Sequence, residues 1–141
     1  MKNQLPILLL SLSAVLLAAP AIADDVTGKD KILCTTVQIT ECFADGGCEG
    51  GPPENWNIPR FTRVDLEQNT LKTTEASGQD RETPIERIEQ EGDDVFIQGA
   101  EGGKAFTVLL DLDTGTATLA IALEGSVLAG FGVCTPIDSL Q

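Results

Sequence analysis

Downstream of residue 23, hydrophobic and polar residues alternate in short runs, and no segment repeats at the spacing of an amphipathic helix. The runs are rich in Val, Ile and Thr, and turns that contain Gly, Asp or Asn separate them. Residues 91–93 and 113–115, Glu-Gly-Asp and Asp-Thr-Gly, are typical of hairpin turns. The pattern predicts strands at residues 32–43, 61–66, 70–74, 85–90, 94–98, 105–111, 116–123 and 127–134.

Strands that follow one another through short turns pair with their neighbours in the chain, which predicts an antiparallel meander of about eight strands. Closing such a meander removes its exposed edges. The predicted fold is therefore all-β, a small up-and-down, lipocalin-like barrel stapled by disulfides, with a sandwich as the alternative. Alternation in the last three strands predicts these core side chains: Phe106, Val108, Leu110, Leu119, Ile121, Leu123, Val127, Phe131 and Val133.

The N-terminal segment predicts export. Lys2 is followed by an apolar run over residues 5–17 and then by small residues that end at Ala23. This order is typical of a cleavable signal peptide, and the run is shorter than the about 20 residues of a spanning helix. We therefore expect a signal peptide at residues 1–23 and a single mature domain at residues 24–141, with no membrane span. The expected compartment is the periplasm, with the extracellular space as the alternative.

Four cysteines remain in the mature domain: Cys34, Cys42, Cys48 and Cys134. An even number in an oxidising compartment predicts disulfides, and the spacing and the lack of histidine argue against zinc. Alternation places Cys34 and Cys134 on the face of their strands that points away from the core. If the first strand pairs with the last, the two become cross-strand neighbours and form one disulfide. Cys42 and Cys48 then form the other.

The composition is strongly acidic. All 22 acidic residues but only eight of the nine basic residues follow residue 23, so the mature charge is 8 − 22 = −14. Such a charge repels nucleic acid and anionic membrane surfaces. It is suited to a basic partner, or it serves solubility alone.

Motifs of catalysis are missing from the sequence. Without histidine there is no Ser-His-Asp or Cys-His arrangement, and cysteines in disulfides offer no thiolate. Residues 111–115 begin like a calcium loop but lead into a strand, and residues 99–104 lack the pattern of a phosphate-binding loop. We expect no enzyme, no metal and no cofactor, with hydrolysis by paired carboxylates as the alternative.

The longest predicted loop, residues 45–59, is the candidate binding surface. It carries Asp45, Glu49, Glu54 and Trp56, and three prolines limit its freedom. A stiff loop loses little entropy on binding, and an aromatic ring among carboxylates suits a basic, partly apolar partner. The alternative is that Trp56 folds down and seals the mouth of the barrel.

Two functional hypotheses follow. The first is a non-catalytic binding module that offers the acidic loop to a basic protein, or a small apolar cavity to a small ligand. The second is a structural domain of the cell envelope with no ligand of its own. The layout resembles small exported barrels, namely lipocalin-like carriers and periplasmic lysozyme inhibitors. Trp56 lies in no Gly-x-Trp motif, and residues 99–106 match the inhibitors only in their glycines, so no family is assigned.

Overall fold

The computed structural model describes residues 23–137, so the predicted signal peptide up to residue 22 lies outside the described residues. The described chain forms ten antiparallel strands and two short 3-10 helices, which confirms the predicted all-β fold. None of its helices is long and apolar enough to cross a membrane. The strands are β1 (Lys31–Phe43), β2 (Cys48–Gly51), β3 (Phe61–Asp65), β4 (Thr70–Thr73), β5 (Glu82–Pro84), β6 (Arg87–Glu91), β7 (Asp94–Glu101), β8 (Lys104–Asp111), β9 (Thr116–Leu123) and β10 (Ser126–Pro136), and the 3-10 helices are Pro53–Trp56 and Glu75–Ser77.

All ten strands belong to one curled sheet. Its order is β5-β4-β3-β1-β10-β9-β8-β7-β6, with β2 paired to β1 beside this path. The two outer strands, β5 and β6, are consecutive in the chain, and only Ile85 and Glu86 separate them. The N–H of Ile85 donates to Asn69 O (2.8 Å) and that of Glu86 donates to Gln98 O (2.9 Å). The sheet therefore curls into a half-barrel whose two edges meet at this connection.

The first and last long strands pair, as the meander requires. Cys34 lies opposite Cys134 in the β1–β10 ladder, and a disulfide joins them across a Cα–Cα distance of 4.0 Å. A second disulfide joins Cys42 to Cys48 across the β1–β2 hairpin. These are the two pairings predicted from the sequence.

The faces predicted for these cysteines were wrong. Cys134 is buried, and Cys34 packs against the same hydrophobic core. The reason on β1 is a bulge between Thr36 and Gln38, which reverses the alternation. Ile32 and Ile39 are consequently both buried, although they are seven positions apart, an odd spacing that would place them on opposite faces of a regular strand.

The core side predicted for β10 was also wrong, whereas β8 and β9 point as expected. Leu128 of β10 is buried, but Val127 is 45% exposed and Phe131 is 57% exposed. Val133 shares their face. Alternation separates two faces of a strand without saying which one is inside, and on β10 both faces carry apolar residues.

Two clusters of buried side chains fill the two ends of the half-barrel. The larger one, here called the Val26 cluster, consists of Val26, Ile32, Val64, Ile85, Val95, Ile97, Leu110, Leu112 and Cys134. The chain before β1 covers this end, because Val26 N donates to Leu112 O (2.8 Å). The smaller Ile39 cluster contains Ile39, Ile58 and Leu128, with Trp56, Leu119, Ile121 and Leu123 packed against it.

Candidate binding cavity

A cavity of about 300 Å³ lies inside the half-barrel, bordered by both clusters. Phe106, Val108, Leu119 and Ile121 form its apolar wall and face inwards from β8 and β9. Each is nevertheless only partly buried. Inward-facing side chains stay accessible when the interior is not filled, so this part of the half-barrel is hollow. The volume lies at the lower end of the range for ligand pockets, ~300–1,000 Å³.

Inward-facing glycines let the neighbouring side chains lie flat on the wall. Gly99 of β7 lies opposite Phe106 of β8, and a Cβ at Gly99 would come within 2.6 Å of the phenyl Cζ. A Cβ at Gly130 of β10 would come within 2.6 Å of Ile39 Cδ1. The phenyl ring and the isoleucine occupy the space that side chains at these glycines would fill.

The opposite wall is more polar and comes from β1, β3, β4 and β5. Its inward-facing threonines include Thr36, Thr62, Thr73 and Thr83. The hydroxyl of Thr73 is engaged, because it donates to Gln79 O (2.7 Å) and accepts from the backbone N–H of Arg81 (2.8 Å). The cavity therefore has an apolar side and a hydroxyl-bearing side.

Charged residues line the end of the cavity that is remote from Val26. Glu101 and Lys104 lie opposite each other in the β7–β8 ladder, on the inward face of their strands. Lys104 is exposed, so the cavity opens to solvent here. Lys72 also borders the cavity, but its ammonium group pairs with Glu82 (3.3 Å) on the outer face of β4 and β5.

Arg81 is the third inward-facing charge. It precedes β5 and shares the face of the buried Thr83. Its Nε is buried and has no hydrogen-bond partner. Within residues 23–137, the side chains of Arg81, Glu101 and Lys104 make no ion pair with one another or with any other residue. The sequence did not mark the three as one site, because Glu101 and Lys104 lie in the glycine-rich segment 99–104, which only predicts a turn, and Arg81 is distant from that segment in the chain and belongs to no motif.

Of the predicted binding surface, Trp56 is tied into the fold. Its indole Nε1 donates to Glu41 Oε2 (2.6 Å), and the hydroxyl of Ser126 donates to Glu41 Oε1 (2.6 Å). The hydrogen bonds from Ser126 and then from Trp56 lower the pKa of the Glu41 carboxyl. Trp56 itself is half-buried against the Ile39 cluster. The sequence held one signal for Glu41, which is the only charged residue in the run from residue 32 to 43.

The other three residues of that surface are exposed. Glu49 lies opposite Glu41 in the β1–β2 ladder, so it lies near the Trp56 contact. Asp45 Oδ1 accepts the N–H of Gly47 (2.9 Å) within its own turn. Glu54 forms a bidentate pair with Arg60 (2.6 and 2.8 Å), whose guanidinium lowers the pKa of the Glu54 carboxyl. The structure thus places Glu49 in the ladder beside the Glu41–Trp56 contact and leaves Asp45 and Glu54 in local contacts.

The wall of the cavity offers a ligand apolar contact, hydroxyl groups and charges of both signs that form no ion pair within residues 23–137. No group of three or more His, Cys, Asp or Glu side chains in the described part of the chain is placed to hold a metal ion. Comparison of the chain with protein-family models, curated proteins and solved structures finds no match.

Proposed function

We propose that this protein is an exported, non-catalytic binding module that holds a small apolar ligand in the cavity of the half-barrel. The observation that carries the proposal is the cavity of about 300 Å³ with a half-buried wall of Phe106, Val108, Leu119 and Ile121. Covering this wall removes apolar surface from water, at roughly 25 cal/mol per Å². Two disulfides are compatible with an oxidising compartment.

The acidic loop is the weaker candidate for the binding surface. Its aromatic anchor, Trp56, already packs against the Ile39 cluster and donates its indole N–H to Glu41. Hot-spot residues gain their energy by becoming desolvated in the partner's pocket, which a ring that is half-buried beforehand does less well. A purely structural domain is disfavoured too, because it has no need for an apolar wall that stays open to solvent.

The size of the cavity selects the probe. Liquid water takes about 30 Å³ per molecule, so the cavity has room for a ligand of about ten non-hydrogen atoms. An octyl chain with a small head group has this size, and 1-octanol is the neutral form. We expect 1-octanol to bind in isothermal titration calorimetry and to change the emission of Trp56, the only tryptophan in a chain without tyrosine.

A pair of variants on β9 tests where the probe binds. Ala117 faces inwards and lines the cavity, whereas Ala120 is exposed on the outer face of the same strand. We expect Ala117→Phe to weaken 1-octanol binding at least tenfold, and Ala120→Phe to leave it unchanged. If Ala117→Phe does not fold, Val108→Phe on the neighbouring β8 makes the same test. Absence of binding to any octyl compound, or unchanged binding in the filled variants, would overturn the proposal.

A further inference from the structure

We infer that the ligand of this cavity carries a single anionic head group, a carboxylate, and that Arg81 and Lys104 bind it. The inference rests on the proposed function and adds the chemical class of the ligand. It comes from the charges that face the cavity, whose sum is positive although the net charge of the whole chain is negative.

The charge of the cavity opposes the charge of the chain. The chain as a whole has 22 acidic and nine basic residues. Among the residues that line the cavity, Lys72, Arg81 and Lys104 are basic and only Glu101 is acidic. Lys72 is neutralised by Glu82 on the outer face. The inward set is therefore two cations and one acid, a local excess of positive charge inside a strongly acidic protein.

Arg81 has a donor that lacks an acceptor. The Nε–H of its guanidinium is buried and unpaired. The Nε is covered, but no hydrogen bond or ion pair joins the terminal guanidinium nitrogens to another described residue, so these N–H groups are available for charge-assisted hydrogen bonds to a carboxylate. The guanidinium presents its N–H groups as a planar fork that fits the two oxygens of a carboxylate.

The backbone of Arg81 is held in place before any ligand arrives. Its N–H donates to Thr73 Oγ1 (2.8 Å), and its carbonyl accepts the backbone N–H of Thr73 (3.0 Å). Thr73 is the last residue of β4 and lies opposite Thr62 of β3. Because the backbone is already anchored to the sheet, binding costs only the rotamer freedom of the Arg81 side chain.

Lys104 adds a second cation at the solvent-facing end of the same cavity. It lies opposite Glu101, but no ion pair joins the two side chains within the described residues. A ligand carboxylate placed there is attracted by Arg81 and Lys104 together, while its apolar chain lies along Phe106 and Leu119. Glu101 disfavours a second negative charge on the head group.

Three octyl compounds that differ in the charge of the head group separate its contribution to affinity from that of the apolar chain. We expect octanoate to bind the wild-type protein at least tenfold more tightly than 1-octanol, which corresponds to about 1.4 kcal/mol. Octylamine, the cationic form, should bind more weakly than either, since Arg81 and Lys104 repel it. Calorimetry at a single pH near 7 and a single salt concentration keeps the screening of charges the same for all three compounds, so that differences in affinity report on the head group.

Arg81→Gln should remove the preference for octanoate and retain the binding of 1-octanol. Arg87→Gln is the matched control: Arg87 is exposed on β6, is paired with Glu89 and does not line the cavity. It makes the same change in net charge and should keep the full preference. Lys104→Gln should lower octanoate affinity several-fold with little effect on 1-octanol.

The inference fails if the wild-type protein binds 1-octanol or octylamine with the same affinity as octanoate. It fails equally if Arg81→Gln keeps the preference, or if Arg87→Gln loses it to the same extent. In each of these cases the cavity still binds an octyl chain, so the proposed function survives. Failure of the proposed function is a different result, namely that no octyl compound binds at all or that the cavity-filling variants bind 1-octanol unchanged.

Discussion

The two ends of the half-barrel are packed differently. At one end, the Val26 cluster is dense, the chain before β1 covers it, and the Cys34–Cys134 disulfide crosses it. At the other end, only three residues of the Ile39 cluster are buried, with a half-buried Trp56 beside them, and the cavity between the two clusters opens to solvent past Lys104. The comparison shows that one small sheet can be packed densely at one end and stay open at the other, as the proposed binding function requires. A fold that keeps one end rigid can keep the other end open.

The largest expected difference between the ends concerns the disulfides. The Cys34–Cys134 bond spans 100 residues, and the Cys42–Cys48 bond spans six. Loop-closure entropy gives about 4–5 kcal/mol for the long loop and about 2 kcal/mol for the short one. We expect the double Cys→Ala variant of the first pair to lose about twice as much free energy of unfolding as that of the second. Urea denaturation measures both, and equal losses would contradict the comparison.

The next difference concerns an apolar side chain inside the Val26 cluster and one on the cavity wall that packs against that cluster. Leu112 is 6% exposed within the Val26 cluster, whereas Phe106 on the cavity wall is only partly buried. Leu112→Ala should lower the free energy of unfolding by about 2–5 kcal/mol. Phe106→Ala should lower it by less than the ~3–5 kcal/mol that truncation of a fully buried phenylalanine costs. Binding of 1-octanol should respond in the opposite order, with Phe106→Ala weakening it and Leu112→Ala leaving it intact. A larger stability loss at Phe106 would show that the cavity wall supports the fold.

Trp56 gives a smaller effect and decides between the two roles considered for it. If Trp56 seals the Ile39 cluster, Trp56→Ala should lower the free energy of unfolding by about 2–3 kcal/mol. This is less than for a fully buried aromatic residue, because the ring is half-exposed. Val37→Ala on β1, where the side chain is 52% exposed, is the control and should change stability little. If Trp56→Ala leaves the melting temperature unchanged, the ring does not seal the cluster, and Trp56 is again a candidate for the residue of the acidic loop that contacts a partner.

The smallest expected effect is the pH dependence of the Trp56 end. Because the pKa of Glu41 is lowered below its usual 4.5 in the folded state, the unfolded state binds more protons near that pH. The contribution of Glu41 is thus present above pH about 4.5 and is lost as the pH falls through the folded-state pKa. We expect Trp56 emission to shift over this range in the folded protein, and Glu41→Gln to remove the shift. Glu49→Gln, opposite Glu41 in the ladder, should keep it.

Much of the fold could be predicted because its signals are local. Period-two alternation and turn residues are properties of short segments, and they located the meander, the β8 and β9 core faces and the pairing of the first and last strands. The disulfide pairing was correct although the faces were reversed. Residues opposite each other in a ladder share a face, and Cys34 and Cys134 were reversed together, so the two errors cancelled.

The site could be predicted only in part, because the sequence does not mark the inside of a strand whose two faces are both apolar. Val37 and Phe131 are exposed, and Gly130 and Leu128 face the interior. The bulge after Thr36 carries no motif, yet it sets the faces of everything that follows in β1. Trp56 was recognised, but its partner Glu41 was not.

What the sequence determined by itself is the all-β meander, the acidic composition and the four cysteines that can pair. What only the tertiary structure decided is which surface is inside and which charges meet there. Arg81, Glu101 and Lys104 lie on different strands or turns, and the curling of the sheet brings them to one cavity. The physical reason is that a cavity is a non-local property: it depends on the register and curvature of eight strands, whereas alternation and turn chemistry are fixed within a few residues.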